Sequence, residues 1–489
     1  MAGVVRRRYL GGAAAALGGL LAAACGEPSV RYVGQPQAGP AGPAGPQGPQ
    51  GQAGAQGARG AQGAAGAAAK APVTLDFQHR WNGPAREPII DEAIARFEEV
   101  NPGIIVKMSM NLSRGEGTDG GVPIGKILAA IAAGTPPDSF MIHARAAIDF
   151  AQRNALTWLD DFMKKDGRSL DELYFPAVFP YIQFDGKTFA LPQTASGDNP
   201  YTFYNKKLLS DKGVDPNSLN TWQGLLDSAK TLTDRQGDSF KQIGFRYPGT
   251  GFETWHTANG GQLLSADGRK VLFNDELGRE ALTYMTESVK QVYGSWPNLD
   301  AYVKANEVEI SAPVDSLFAN GKLAISMSGP WYWVSVPPLA PNLDMGAMRM
   351  PRNATNGKSK QTTLAQSVWT WAMGAGLKNP DEAWLLQRWM SQDEGHRHLM
   401  TSMGRATMYK PVVTDKAYYD ANPGWDLVLE TIQNATPLPI SKGWSPVIKG
   451  IGDMATPVLE GKKGVSEVLE EAARTGQAAV DKAYSDAES

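Results

Sequence analysis

Hydrophobic and polar positions alternate along "VTLDFQHRW" (73–81), which predicts a strand. The next stretch, "EPIIDEAIARFEEVNPG", changes period. Pro88 stands near a helix start, Ile90, Ala93, Ile94 and Phe97 recur at helical spacing, and a Pro-Gly pair ends the run. "IIVKMSM" predicts a second strand, "IGKILAAIAAG" a helix closing on Gly134, and "DSFMIH" (138–143) a third strand. Further on, "NTWQGLLDSAKTL" predicts a helix from Thr221, with Trp222, Leu225, Leu226 and Ala229 on one face. "NPDEAWLLQRWM" offers Asn379 as cap and Pro380 at the first helical position. Strands alternating with helices predict an α/β fold with parallel sheets.

The N-terminal region breaks this pattern twice. "MAGVVRRRYLGGAAAALGGLLAAACGEPS" places Arg6 to Arg8 before a short run of small and apolar residues, then three alanines and Cys25. That is the layout of an export signal over residues 1–24, and the run is too short and too rich in Gly and Ala to predict a membrane span. "RRRYL" resembles a twin-arginine signal. Cys25 is the only cysteine, so the chain cannot form an internal disulfide. Its place after the apolar run resembles a bacterial lipobox, although Leu21 sits one position too far away; the resemblance implies lipid on Cys25. Residues 25–38 would then be a lipid-anchored segment.

From Gly39 to Gly66 glycine occupies every third position, ten times in succession. Collagen needs this period because only glycine fits at the triple-helix axis. Only the first four triplets contain proline, so a triple helix of this length is marginal. Residues 39–68 therefore read as a stalk: a single-chain spacer, with a trimerising stem as the alternative. In polyproline II form thirty residues reach about 90 Å.

Residues 1–24 contain three arginines and no acid, so the remainder carries 44 basic and 50 acidic side chains, a net charge of −6 that argues against nucleic acid as a partner. About 420 residues follow the stalk, too many for one core and suited to two lobes. None of the five histidines is paired at metal-ligand spacing, and no cofactor or metal is expected. No GxSxG elbow, HExxH or phosphate-binding loop occurs; "GGVPIGK" has the wrong spacing. A glycosidase would need two carboxylates at a set separation, which sequence does not display.

Seven segments carry a family resemblance in order: "RFEEVNPGIIV", "KILAAIAAGTPPDSFMI", "DGKTFALP…YTFYNKKLL", "TWQGLLDSAKTL", "WHTANGGQLL", "FANGKLAISMSGPWYW" and "KNPDEAWLLQRWM". From about residue 73 onward the chain resembles the extracellular solute-binding proteins of ABC importers, in the branch that includes maltose-binding protein. The resemblance implies two α/β lobes joined by three crossovers, with a ligand cleft between them. Lobe 1 would be 73–193 and 358–407; lobe 2 would be 194–357 and 408–489. The crossovers would lie near "PQTASGDNPY", "RMPRNATNGKSK" and "SMGRATMYKP". The expected function is capture of a sugar or oligosaccharide by cleft closure and delivery to permease subunits, on the outer face of the cell membrane. A surface receptor or adhesin displayed by the stalk is the alternative.

Sugars present apolar faces and hydroxyl rims, so the cleft calls for aromatic platforms and fixed polar groups. Among thirteen tryptophans, Trp158, Trp222, Trp384 and Trp389 fall in apolar helix patterns and are expected in the core; sheet packing is the default for Trp369 and Trp371, although one of the two could reach the cleft. Trp81 and Asn82 follow the first strand, where open α/β sheets bind ligands. The family resemblance points to Trp331 in "SGPWYW" as a stacking residue, with Trp333 as support, and to Trp444 as another platform. Trp255, before "HTANGG", is a further candidate. His143 and Arg145 follow the strand "DSFMI", and Gln193, Asp198 and Asn199 lie in the first crossover, with Arg405 a weaker candidate in the third. Asp138 and the Asp160–Asp161 pair read as structural.

Overall fold

The computed structural model describes residues 71–488 apart from 82–85, 111–121, 195–200, 238, 248–250, 309–314, 362–368, 406, 422–423 and 435–440. The signal, Cys25, the glycine repeat, Asn82, Asp198 and Asn199 lie outside the described residues.

In chain order the strands are Val73–His79 (β1), Ile104–Met110 (β2), Ser139–His143 (β3), Gln183–Phe184 (β4), Lys187–Thr188 (β5) and Leu191–Pro192 (β6). They continue with Tyr201–Asn205 (β7), Asp234–Gln236 (β8), Ser239–Phe245 (β9), Leu323–Ser328 (β10), Met345–Met348 (β11) and Trp369–Ala372 (β12). β4 and β5 form a small hairpin, and the rest sort into two five-stranded sheets. The first has the order β2-β1-β3-β12-β6 and the second β11-β7-β10-β9-β8.

The alternation in β1 becomes the two faces of a strand: Leu75, Phe77 and His79 are buried, while Thr74, Asp76 and Gln78 are not. β1 runs parallel to β2 and β3. The helix Glu87–Val100, entered through Pro88, buries Ile90, Ala93, Ile94 and Phe97. β12 enters antiparallel between β3 and β6 and pairs Trp369 with His143. In the second sheet β10 is parallel to β9, and β7 is antiparallel to both β10 and β11. This register puts Tyr201, Ser328 and Met348 at one end of that sheet.

Two crossover expectations shift. Lobe 1 was expected to resume at 358. Residues 358–360 stay instead beside the second sheet's helix Phe252–Ala258, because Ser359 Oγ and Lys360 N both donate to the Ala258 carbonyl, at 2.9 and 2.7 Å. Asn356 anchors the same turn, donating to Asn259 Oδ1 at 2.9 Å. Lobe 2 was expected to resume at 408. Residues 408–421 pack instead on the first sheet's side: Tyr409 bridges to Tyr174, Phe175 N donates to Met408 O, and Arg397 pairs with Asp415. The return toward the second sheet's helices follows residue 421.

Candidate functional site

The carboxyl ends of β1 and β3, the start of β12 and the residues after β6 converge at one rim of the first sheet. Trp369 stands at its centre. The Arg80 guanidinium lies 4.5 Å from one ring centroid, and the His143 ring meets the indole edge-on with centroids 5.1 Å apart. The backbone N–H of Gln193 donates to Trp369 O at 2.7 Å. The Gln193 side chain is fully buried, and neither its amide nitrogen nor its oxygen has a hydrogen-bond partner among the described residues. A buried amide left this way costs about 1–3 kcal/mol, which a ligand hydroxyl or a water recovers. Arg145, second in the helix Ala144–Gln152, is half-buried at the same rim.

Trp81 is placed differently from a platform. It is 1% exposed and meets Trp371 edge-on at 5.5 Å. Strand parity explains this: Phe77, His79 and Trp81 share the inward face, and Arg80 takes the outward one. Burial also lowers the pKa of His79, against the opposing pull of Asp91 and Glu87.

The second sheet's rim carries Trp331, which caps the short helix Tyr332–Ser335 after β10. It is half-buried, and the Arg405 guanidinium lies 4.6 Å from its ring centroid. A Cβ on Gly329 would collide with the Trp331 ring, so glycine there lets the indole fold back over its own loop. Tyr332 is buried beneath; its hydroxyl accepts from Asp315 N at 2.8 Å and contacts Ser326 Oγ at 3.2 Å. Trp333 packs on Phe203 and Tyr201 at 5.0 and 5.4 Å.

Trp255 has no exposed surface. Trp222 meets it edge-on at 5.7 Å, and Tyr284 lies at 5.1 Å. In this conformation it is a buried packing residue, not an open platform. Trp444 is 5% exposed and opens the helix Trp444–Asp453 after Gly443, whose φ of 78° sets the entry. That helix approaches both Ala144–Gln152 on the first sheet's side and Phe252–Ala258 on the second's. Among the described residues no group of His, Cys, Asp and Glu is arranged to hold a metal ion.

The model of the bacterial extracellular solute-binding proteins matches residues 92–424, more than half of the chain. The chain belongs to that family. This solute-binding protein is 25% identical over 408 residues to a binding protein of Brucella abortus, covering 81% of this chain and 90% of that one. It is 24% identical over 434 residues to the sn-glycerol-3-phosphate-binding periplasmic protein of Escherichia coli, covering 83% and 92%. Among solved structures it resembles CpMnBP1 with mannotriose bound (TM-score 0.70, 22% identity, 83% and 100% covered). It also resembles the maltose/maltodextrin-binding domain of Bdellovibrio bacteriovorus bound to maltotriose (TM-score 0.69, 19% identity, 84% and 100% covered). These likenesses establish the two-lobed α/β fold of the expected class. The family is one of binding proteins, not enzymes.

Trp369 and Arg80 lie together at this rim and were not among the residues expected there. The signal for Arg80 was available in the alternation of 73–81, which assigns Trp81 inward and Arg80 outward. For Trp369 the alternation in "SVWTWAM" left open which of two tryptophans faces the rim, and only the pairing of β12 with His143 decides it.

Proposed function

We propose that the protein captures a sugar or oligosaccharide between the two rims, closes on it, and delivers it to ABC permease subunits. The observation that carries this reading is the buried, unpartnered amide of Gln193 beside the aromatic Trp369, facing a chain that supplies a second aromatic, Trp331, from the other sheet. An unpartnered amide beside an indole suits a hydroxylated ring with apolar faces. Trp331, Gln193, His143 and Arg145 act directly on the ligand, together with Asn82 and Asn199. Trp81, Trp255 and Trp444 hold the walls. The sugars named with the structural neighbours favour saccharides; the Escherichia coli relative makes a polyol phosphate the competing ligand.

Closure follows from linkage. A ligand that contacts both rims only when they are close shifts the population toward the closed form. The lobes divide as 73–193 with 358–407 and 194–357 with 408–489, adjusted at 358–360 and 408–421 as described. Residues 1–24 direct export, Cys25 carries the lipid anchor, and residues 39–68 act as a spacer that keeps a monomer away from the bilayer. A thermal-shift screen of the mature chain against a carbohydrate panel and sn-glycerol 3-phosphate tests the function, because a ligand of the native state raises its melting temperature. Stabilisation by saccharides supports the proposal; stabilisation by glycerol phosphate alone overturns it.

A further inference from the structure

One side chain from the first sheet's side reaches Trp331 of the second. Arg405 follows Gly404, whose φ of 58° turns the chain out of the helix Glu394–Met403, and its guanidinium lies 4.6 Å from the Trp331 ring centroid. Its backbone is tied down behind it: Arg405 N donates to Met400 O at 3.0 Å, and the Tyr418 hydroxyl donates to its carbonyl. Two residues further on, Thr407 is buried. Its Oγ1 accepts from Tyr409 N at 3.0 Å and lies 2.8 Å from His396 Nε2.

The partners of His396 fix its tautomer. Met390 O, 3.2 Å from Nδ1, can only accept, so Nδ1 carries the hydrogen. Nε2 then accepts from the Thr407 hydroxyl, and the neutral ring satisfies both of its nitrogens. A proton on Nε2 would point at the hydroxyl hydrogen. Thr407 Oγ1 could accept it only by turning that hydrogen away, and it has no other acceptor among the described residues. The ring has no exposed surface through which water could solvate the new charge.

The charged groups around the ring do not offset this. Arg397, on the same helix, opposes protonation and pairs with Glu394 and Asp415. Arg388 and Arg168 both pair with Asp393, at 2.9 and 2.8 Å, and Glu92 on the helix Glu87–Val100 faces His398. Tyr409 meets the His396 ring edge-on with centroids 5.4 Å apart, and burial raises its own pKa, so it stays neutral.

We propose that His396 and Thr407 form a proton-sensitive latch: neutral, the pair holds Arg405 in place over Trp331; protonated, it releases Arg405 and loosens the grip on a bound ligand. The second half rests on the capture site proposed above, whereas the latch is a property of the empty chain. His396 and Thr407 touch no ligand and act by positioning Arg405. An exposed histidine titrates near its ordinary 6.5 and the latched one at about 4, so between pH 7 and pH 5 the released form gains about twentyfold over the latched form.

The test uses the full mature chain, ligand-free and labelled with fluorotryptophan for fluorine NMR. Trp331→Phe assigns the Trp331 resonance, and Arg405→Ala gives its position without the guanidinium. From pH 7 to pH 5 the wild-type resonance is expected to move toward the Arg405→Ala position. In His396→Gln, whose amide can make both hydrogen bonds but gains no proton, it is expected to stay. A wild-type resonance that does not move, or one that moves equally in His396→Gln, overturns the latch. If His396→Gln fails to fold, Thr407→Val decides: at pH 7 its resonance should already lie at the Arg405→Ala position, and a wild-type position overturns the latch. Titration with maltotriose and mannotriose then tests the consequence. A saccharide bound at pH 7 should bind about threefold to tenfold more weakly at pH 5 in the wild-type chain only. An equal loss in His396→Gln overturns the link to capture. If neither saccharide binds at pH 7, saccharide capture fails, and the resonance alone decides the latch.

Discussion

The guanidinium of Arg405 lies over the ring of Trp331, 4.6 Å from its centroid, and joins the two halves of the cleft. Arg405 follows the helix Glu394–Met403 on the first sheet's side, after Gly404 in the left-handed conformation; Trp331 hangs from β10 of the second. The guanidinium covers the indole, whose ring also lies back over Gly329. The contact exists only while the rims are close, so it favours the closed form by the 0.5–2 kcal/mol usual for such pairs.

Arg405→Ala is therefore expected to weaken sugar affinity about threefold to tenfold, consistent with roughly 1 kcal/mol. The hydrogen bond from Tyr418 to the Arg405 carbonyl uses the backbone and survives the change. Calorimetric titration measures the affinity, and small-angle scattering reports the shift toward the open form. Unchanged affinity would show that the contact does not contribute to closure.

Trp331→Ala removes the platform itself. Affinity should fall at least tenfold, about 1.4 kcal/mol, with a small loss of stability. Trp384→Ala should behave in the opposite way. That indole is 3% exposed, stacks on Phe162 at 5.5 Å and donates to Asp166 at 2.8 Å, so truncation costs about 3–5 kcal/mol of stability. Folded molecules of that variant should bind normally. Denaturant melts and titrations on both chains check the contrast.

His396 makes stability depend on pH. Its ring is buried, held between Met390 O at 3.2 Å and Thr407 Oγ1 at 2.8 Å, and burial lowers its pKa to about 4. The unfolded chain binds this proton near pH 6.5 and the folded chain does not, so stability is lost as pH falls from 6.5 toward 4. The loss from His396 alone should reach about 2 kcal/mol at pH 5, with His79 adding in the same direction. Urea melts at pH 7, 6 and 5 measure it. His396→Gln should flatten most of the slope; an equal slope in that variant would assign the effect elsewhere.

On the proposed reading, an anchor at Cys25 and a stalk over 39–68 are separable from binding. Cys25→Ser should release the protein from the membrane fraction. Deleting residues 39–68 should leave sugar affinity unchanged and the sedimentation coefficient that of a monomer. A trimer that dissociates on the deletion would instead make the repeat a stem.

Much of the fold was legible because its signals are local. The inward face of Glu87–Val100 and the alternation of β1 follow directly from residue order. The site was less legible because it depends on partners distant in sequence. Trp255 was read as a site candidate, with packing under the Gly-Gly turn as the alternative; Trp222 and Tyr284 close over it from other helices. Trp81 was read from its place at a strand end, yet parity along the same strand turns it inward. Tyr409 looked like part of a connection until its bridge to Tyr174 appeared, a pairing that no local pattern encodes.

The placement of β12 between β3 and β6 bears on how the chain acquires its shape during synthesis. The first sheet lacks its fourth strand, and Trp81 lacks the Trp371 surface it packs on, until the whole second sheet has been made. The part begun first is thus completed only after the strands of the second sheet exist. Such non-local pairing slows folding and leaves unpaired edges open to aggregation meanwhile. A chain terminated anywhere before Trp369 should yield no independently stable first lobe, however complete its earlier strands are.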